Sequence, residues 1–521
     1  MRLWVPVLIV LLVLMDLAWN LSHFNSGLVD VLGLLGFTRS WVQLHAWPAS
    51  PYFPAGYPLL LAIGGYLGNA LAGGYVISAA GLATGLWALY RLVRELGGNR
   101  WLGLAALVLA WLLPAYRIIA GSPSVDPLYT GLALWFIAAS VALWRFAAAD
   151  RPVLKINELP PWAGWGLTIP VLILPLIRYH AIVLVLPVLL IVTIARPRLR
   201  PFLRWSWAAL LAAFAFNYSS YYAAYHEPIP SVTAIQIRSG LEYRFGLAYP
   251  TPDHLYSDYV GFCRYARSNS VVADYGWPRL IEHTLKDWLF FLRRPPVALA
   301  LVLALVLWFR RRLPVGAALL ALWIPAYCLA LSPAYYTARS AALPALTALG
   351  LALVLSARVL SGRRSWVGVI AAIALIGFGS WYASSYAQSI YAERYRYASY
   401  SLEVDRVVAE QGWHWTAVVT NDIRVIPLTN NPWCWPYLHT ELSWTDDPAI
   451  KQPVLGLTRY REEQLADPPP DWQLEGLLLL HSHPRAAELQ SILDNGPWEP
   501  CYEAEDYTVF RHIESTSPGG A

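Results

Sequence analysis

The stretch DPLYTGLALWFIAASVALWR, residues 126–145, decides how this chain is read. Every residue between Asp126 and Arg145 is uncharged, and most are apolar. A bilayer core takes about 20 apolar residues in helical form, so this run is long enough to cross one. Comparable runs lie at 3–21, 74–95, 101–119, 163–177, 179–195, 205–225, 296–309, 314–331, 341–358 and 366–384. The expectation is therefore a polytopic α-helical membrane protein with about eleven transmembrane helices. The first run is read as a retained span, because no small-residue cleavage site follows Asp16-Leu17-Ala18-Trp19.

Composition agrees. Of 521 residues, 57% are hydrophobic and 14% are charged, against about 25% charged in soluble domains. Mean hydropathy is +0.43. Disorder, coiled coil, collagen and an ordinary soluble enzyme are excluded. The net charge of +5 rests almost wholly on arginine, since Lys155, Lys286 and Lys451 are the lysines. These cations sit in short clusters between apolar runs, so no nucleic-acid partner is expected.

Arginine placement orients the spans. Arg91, Arg94 and Arg100; Arg145, Arg151 and Lys155; Arg196, Arg198, Arg200 and Arg204; Arg310 to Arg312; and Arg358, Arg363 and Arg364 fall in alternate loops. The positive-inside bias makes that side cytoplasmic. The N-terminus is then cytoplasmic and the C-terminal tail extracytoplasmic, in the plasma (inner) membrane.

Twenty of the 33 acids lie from Glu393 onward, which divides the chain into a membrane domain (1–390) and an extracytoplasmic domain (391–521). The membrane domain carries two long outer loops, 22–73 and 226–295. The tail reads as a small α/β domain, with strands near Thr416–Thr420, Gly476–Leu480 and Thr508–Arg511 and helices near Leu402–Glu410 and Arg485–Leu493. Cys434 and Cys501 both fall in it; a disulfide and two free thiols are equally open. Cys328 reads as packing, and no zinc spacing appears.

Of the thirteen acids left in the membrane domain, Asp16, Asp30 and Asp126 stand apart from cytoplasmic ion pairs and from the large loop. A carboxylate at membrane depth costs roughly 2.5–3.5 kcal/mol on the insertion scale. Asp16 therefore needs a partner, a wet cavity, or a reach to the interface. Asp30 opens an apolar helix-like stretch, and Asp126 opens the fourth span; helix capping explains either residue equally well. On one outer face, two carboxylates could act as a base, hold a divalent cation such as magnesium or manganese, or both. Arg178 and Arg339 lie at outer span ends against the charge bias. Either they snorkel or they bind an anion, for which guanidinium matches phosphate.

Several strings taken together resemble the GT-C membrane glycosyltransferases. Tyr52-Phe53-Pro54-Ala55-Gly56-Tyr57-Pro58-Leu59-Leu60-Leu61-Ala62 is similar to their "PPGYPLLLA" stretch, and Ser124-Val125-Asp126-Pro127-Leu128 to "SEPLF". Arg178-Tyr179 before a Pro-containing helix is similar to "TRYxGLLLLP", and Arg339 with Leu343-Pro344-Ala345-Leu346 to "RYLLPALP". The group is family-39-like and includes protein O-mannosyltransferases and aminoarabinose transferases. The resemblance covers most of the chain in order.

The resemblance implies sugar transfer from a polyprenyl-phosphate donor to an acceptor hydroxyl on a lipid, glycan or protein, with inversion. Asp30 matches the base position and Asp126 its partner or a cation ligand. Arg178 and Arg339, with Tyr179, His180 and Tyr336, match the donor-phosphate site. His45, Tyr52 and Tyr57 are expected to contact sugar. Asp30 is flanked by Val29 and Val31 where many members have paired acids, and Ala55 replaces a proline, so metal dependence stays open. The alternatives are a transporter or lipid flippase, for which internal repeats would be expected and are not seen, and a non-catalytic relative.

Overall fold

The apolar runs fold as helices. The computed structural model describes residues 4–22, 54–67, 70–113, 123–148, 160–225, 275–333, 341–359, 366–377, 418–420, 476–481 and 486–513, together with Thr38, Trp41, Val42, Tyr116, Ile119, Arg406 and Glu410. Among the described residues up to 377, the helices are α1 (Trp4–Ser22), α2 (Gly56–Tyr66), α3 (Ala70–Glu95), α4 (Arg100–Leu112), α5 (Val125–Ala148), α6 (Pro161–Ile177), α7 (Ala181–Ala195), α8 (Arg200–Tyr225), α9 (Trp277–Leu292), α10 (Pro295–Phe309), α11 (Val315–Leu331), α12 (Ala342–Val359) and α13 (Trp366–Gly377). Each expected span carries helix at its place.

Their lengths differ. Ala72–Glu95, Val125–Phe146 and Ala342–Val359 are each long and apolar enough to cross a membrane alone. The 24 residues of α5 rise about 36 Å. The 15 residues of α7 rise about 22 Å, short of a bilayer core of about 30 Å. Helices α1, α4, α6, α11 and α13 are likewise apolar but short.

Two helices arise where the sequence reads as outer loop. Helix α2 is the apolar stretch inside 22–73, packed on α3 and α6. Helix α9 falls inside 226–295 and bends by 83° into α10. Gly276, at φ 77°, and Pro278 set its start. Its inward face buries His283, Asp287 and Phe291, while Ile281, Leu285 and Leu289 form an exposed apolar stripe. Its hydropathy is broken by Arg279, Glu282, Lys286 and Asp287, so length-and-apolarity reading passes over it.

At the centre lies α12, buried without interruption from Ala342 to Ser356. A helix apolar on all sides belongs inside a bundle. Helices α3 and α5 cross at glycines. A Cβ on Gly131 would stand 2.1 Å from the Gly81 carbonyl oxygen, and one on Gly85 would stand 3.2 Å from Gly131 Cα. Without side chains there, the backbones meet directly.

One end of the bundle collects an arginine from each of the five sequence clusters. Arg94 donates to Gly98 O (3.0 Å), Arg145 to Glu95 O (2.5 Å), Arg358 to Leu96 O (3.2 Å) and Arg310 to Val359 O (3.3 Å). Arg196 lies over the Trp144 ring at 4.4 Å. The carbonyl acceptors are mostly orphans of helix C-termini, which cations satisfy.

The tail forms a four-stranded sheet in the order β1-β2-β4-β3, from Val418–Thr420, Gly476–Leu480, Tyr507–His512 and Trp498–Glu503 respectively. Helix α14 (Ala486–Asp494) packs on it, burying Leu489 and Leu493 with Phe510 and Trp498. Strand β3 has no counterpart in the sequence reading because Pro500 argues against a strand. It lies at the sheet edge with a register shift between Pro500 and Tyr502, which is where a strand tolerates proline. Cys501 carries a free thiol; Cys434 lies outside the described residues.

Candidate active site

Asp126 occupies the first turn of α5, where the helix dipole favours a negative charge. Arg178 is the C-cap of α6, extended, with its N–H on Leu174 O at 2.9 Å. The two helices pack side by side, which brings these ends together at the end of the bundle opposite the arginine cluster. Arg178 Nη2 donates to Asp126 Oδ1 at 2.6 Å, with the two side chains 14% and 13% exposed. At that burial the pair is not one of the surface ion pairs that contribute almost nothing.

The turn ahead of Asp126 is held from two helices. Tyr57 Oη donates to Pro123 O at 3.0 Å, and Ser78 Oγ to Ser124 O at 3.4 Å. Backbone approach is close on either side: a Cβ on Gly74 would meet Pro123 Cβ at 2.8 Å, and one on Gly56 would meet Leu176 O at 2.4 Å. One turn into α5, the Tyr129 hydroxyl hydrogen-bonds that of Tyr327 on α11 at 3.1 Å, and its ring meets His180 edge-on at 5.2 Å. From α8, Asn217 Nδ2 donates at 2.8 Å to Pro175 O, a last-turn carbonyl of α6. Asp126 and Arg178 are thus fixed by tethers from α2, α3, α8 and α11.

Of the residues singled out in the sequence, Asp126 and Arg178 meet. Tyr179 and His180 complete the half-buried turn into α7, His180 against Tyr129. Tyr57, expected to touch sugar, is 1% exposed and ties α2 to the Asp126 turn. Asp16 is 3% exposed inside the bundle and interacts electrostatically with Tyr116, whose hydroxyl donates to Leu82 O at 3.2 Å. It is a buried acid, not an interfacial one. Asp30, His45, Tyr52, Tyr336 and Arg339 lie outside the described residues.

Sequence reasoning missed His283 and Asp287. They sit one turn apart on the buried face of α9, with His283 Nε2 3.9 Å from Asp287 Oδ2. Trp288 of the same helix donates to Pro325 O on α11 at 3.0 Å, two residues from Tyr327, so the pair belongs to the Asp126 end of the bundle. The available signal was their i, i+4 spacing on the face of an amphipathic helix. Among the described residues, no group of three or more His, Cys, Asp or Glu could hold a metal ion.

No family model matches the sequence, and no curated protein matches it. Solved structures do. ArnT from Cupriavidus metallidurans bound to undecaprenyl phosphate aligns with a TM-score of 0.52 at 11% identity, covering 99% of each chain. The apo structure of the same protein aligns with a TM-score of 0.52 at 13% identity over the same shares. The helical bundle and the small sheet that follows it are both included in that alignment, and the chain therefore has the fold of ArnT.

Proposed function

We propose that this membrane protein transfers a sugar from a polyprenyl-phosphate-linked donor to an acceptor hydroxyl, inverting the anomeric centre. The observation that carries the reading is the Asp126–Arg178 pair, 2.6 Å apart and largely shielded, at one end of a bundle whose structural neighbour holds undecaprenyl phosphate. A guanidinium has five N–H donors. One N–H of Arg178 fixes Asp126, and the group as a whole places positive charge where a phosphate leaving group gains negative charge. The acceptor oxygen attacks the anomeric carbon, the carbon–oxygen bond to phosphate breaks with its electrons leaving on the polyprenyl phosphate, and the acceptor proton passes to a carboxylate. Asp30 is the proposed base and Asp126 its partner. Arg339, Tyr179, His180 and Tyr336 complete the proposed phosphate site, and His45 and Tyr52 are the proposed sugar contacts.

If a divalent cation such as magnesium or manganese takes part, Asp30 and Asp126 are the carboxylates proposed to hold it, Asp126 Oδ1 also accepting from Arg178. The arginine-rich end supports a cytoplasmic assignment for that face and an outer assignment for the Asp126 end. The acceptor is a lipid, glycan or protein carrying a free hydroxyl.

The test is turnover in proteoliposomes with a panel of undecaprenyl-phosphate sugars, read as release of undecaprenyl phosphate and transfer of label to envelope extract. Wild type is expected to turn over at least one donor, and Arg178→Ala and Asp126→Asn to lose it by 100-fold or more, as for removal of a preorganised charge, about 10²–10³. Equal turnover in both variants would remove the assignment.

A further inference from the structure

Away from the candidate site, helices α5, α7 and α11 line a narrow apolar groove with a cavity volume of about 100 Å³. Ile137, Val141, Trp144, Val188, Leu320 and Trp323 are among its walls. The groove lies toward the arginine-rich end: Trp144 is near the C-terminus of α5, and Gly316 opens α11 just after Arg310 to Arg312.

A cation stands at that end of the groove. Arg196, the C-cap of α7, lies over the Trp144 ring at 4.4 Å, and its buried Nε has no hydrogen-bond partner among the described residues. Arg200 and Arg204 follow at the start of α8, and none of the three forms an ion pair with a described acid. An apolar slot beside uncompensated guanidinium groups matches a molecule with an anionic head and a hydrocarbon tail.

We infer that this groove binds an anionic glycerophospholipid from the leaflet at the arginine-rich end, with its phosphate at Arg196 and an acyl chain between Trp144 and Trp323. The choice over the tail of a polyprenyl donor rests on polarity. The charged partner is at the arginine end, whereas a donor phosphate would sit at the opposite end with Arg178.

The groove can be filled without distorting its walls. A Cβ built on Gly316 has Val141 Cγ1 as its nearest neighbour, at 3.9 Å, an ordinary contact. Gly316→Leu therefore places side-chain atoms in the slot, and Leu319→Trp is a second, independent filling.

The test is native mass spectrometry of the full chain in detergent, with phosphatidylglycerol, phosphatidylcholine of matched chains, and undecaprenyl phosphate as probes. Phosphatidylglycerol is expected to be retained over phosphatidylcholine. Arg196→Ala should lower that retention about five-fold, the size of one arginine against an anionic headgroup. Both groove-filling variants should abolish retention while keeping wild-type melting temperature and monodispersity; a variant that fails that control is set aside for the other. Equal retention of the two phospholipids, or unchanged retention in Arg196→Ala, overturns the inference. So does displacement of phosphatidylglycerol by an equimolar amount of undecaprenyl phosphate, which assigns the groove to the donor tail.

Discussion

Asp126 and Arg178 are 52 residues apart in sequence and 2.6 Å apart in space. Each comes from the end of a different helix, so the pair also reports how α5 and α6 are assembled. Breaking a buried pair by removing one partner leaves an uncompensated charge and costs about 3–5 kcal/mol, while removing both as apolar groups is often neutral. Asp126→Leu and Arg178→Met should each lower the melting temperature in detergent. The double variant should recover most of that loss, and additive losses would sink the coupling.

Packing of α3 against α5 makes a second prediction. Gly131→Ala puts a methyl group 2.1 Å from the Gly81 carbonyl oxygen, which backbone cannot yield to without moving the helices. Overpacking of this kind costs about 1–3 kcal/mol, and here it also shifts the turn that carries Asp126. Gly164→Ala is the matched control: nothing lies within 4 Å of its added Cβ, so only the gain in helix propensity remains, up to about 1 kcal/mol. Thermal unfolding should move in opposite directions for the two variants.

What the sequence displayed, and what it hid, follows from the range of each interaction. Continuous apolar runs such as 126–145 declare a helix locally, and span-end charges such as Asp126 and Arg178 stand out against them. That these two meet depends on the packing of α5 on α6, where Gly166 leaves room for Trp135 and Ala139, and glycine spacing alone does not say which helix comes close. Helix α9 was hidden because Arg279, Glu282, Lys286 and Asp287 interrupt its hydropathy, though Arg279, Glu282 and Lys286 alternate with the buried face of an amphipathic helix. Strand β3 was hidden by Pro500, which only an edge position permits. Asp16 was visible as an acid inside an apolar run, but its burial comes from packing of α1 on α3 and α4.

Tyr57 separates a structural role from a ligand contact. Its hydroxyl is donated to Pro123 O, and the residue is 1% exposed. Tyr57→Phe removes one buried hydrogen bond, worth about 0.5–1.5 kcal/mol. The expected result is a small drop in melting temperature with KM for the sugar donor unchanged. A KM raised ten-fold at unaltered stability would instead make Tyr57 a sugar contact.

Cys501 gives a pH-dependent outcome in the tail. Burial pushes its thiol up to about 11, with Glu499 adding to the rise and Arg511 opposing it. Its Sγ also donates to Val509 O at 3.2 Å across the β3–β4 pairing. A raised thiol pKa means the protonated form persists as pH climbs, and only the thiolate is a nucleophile. At pH 8 the reactive fraction is about one in a thousand, against about one in four for a free cysteine at 8.5. Alkylation by iodoacetamide, followed by mass spectrometry of the Cys501 peptide, should be slow at pH 8. It should rise close to ten-fold per unit until about pH 11, provided the sheet stays folded. Fast labelling at pH 8 would show that β3 leaves the sheet edge in solution, and labelling only after reduction would show that Cys501 is held in a disulfide.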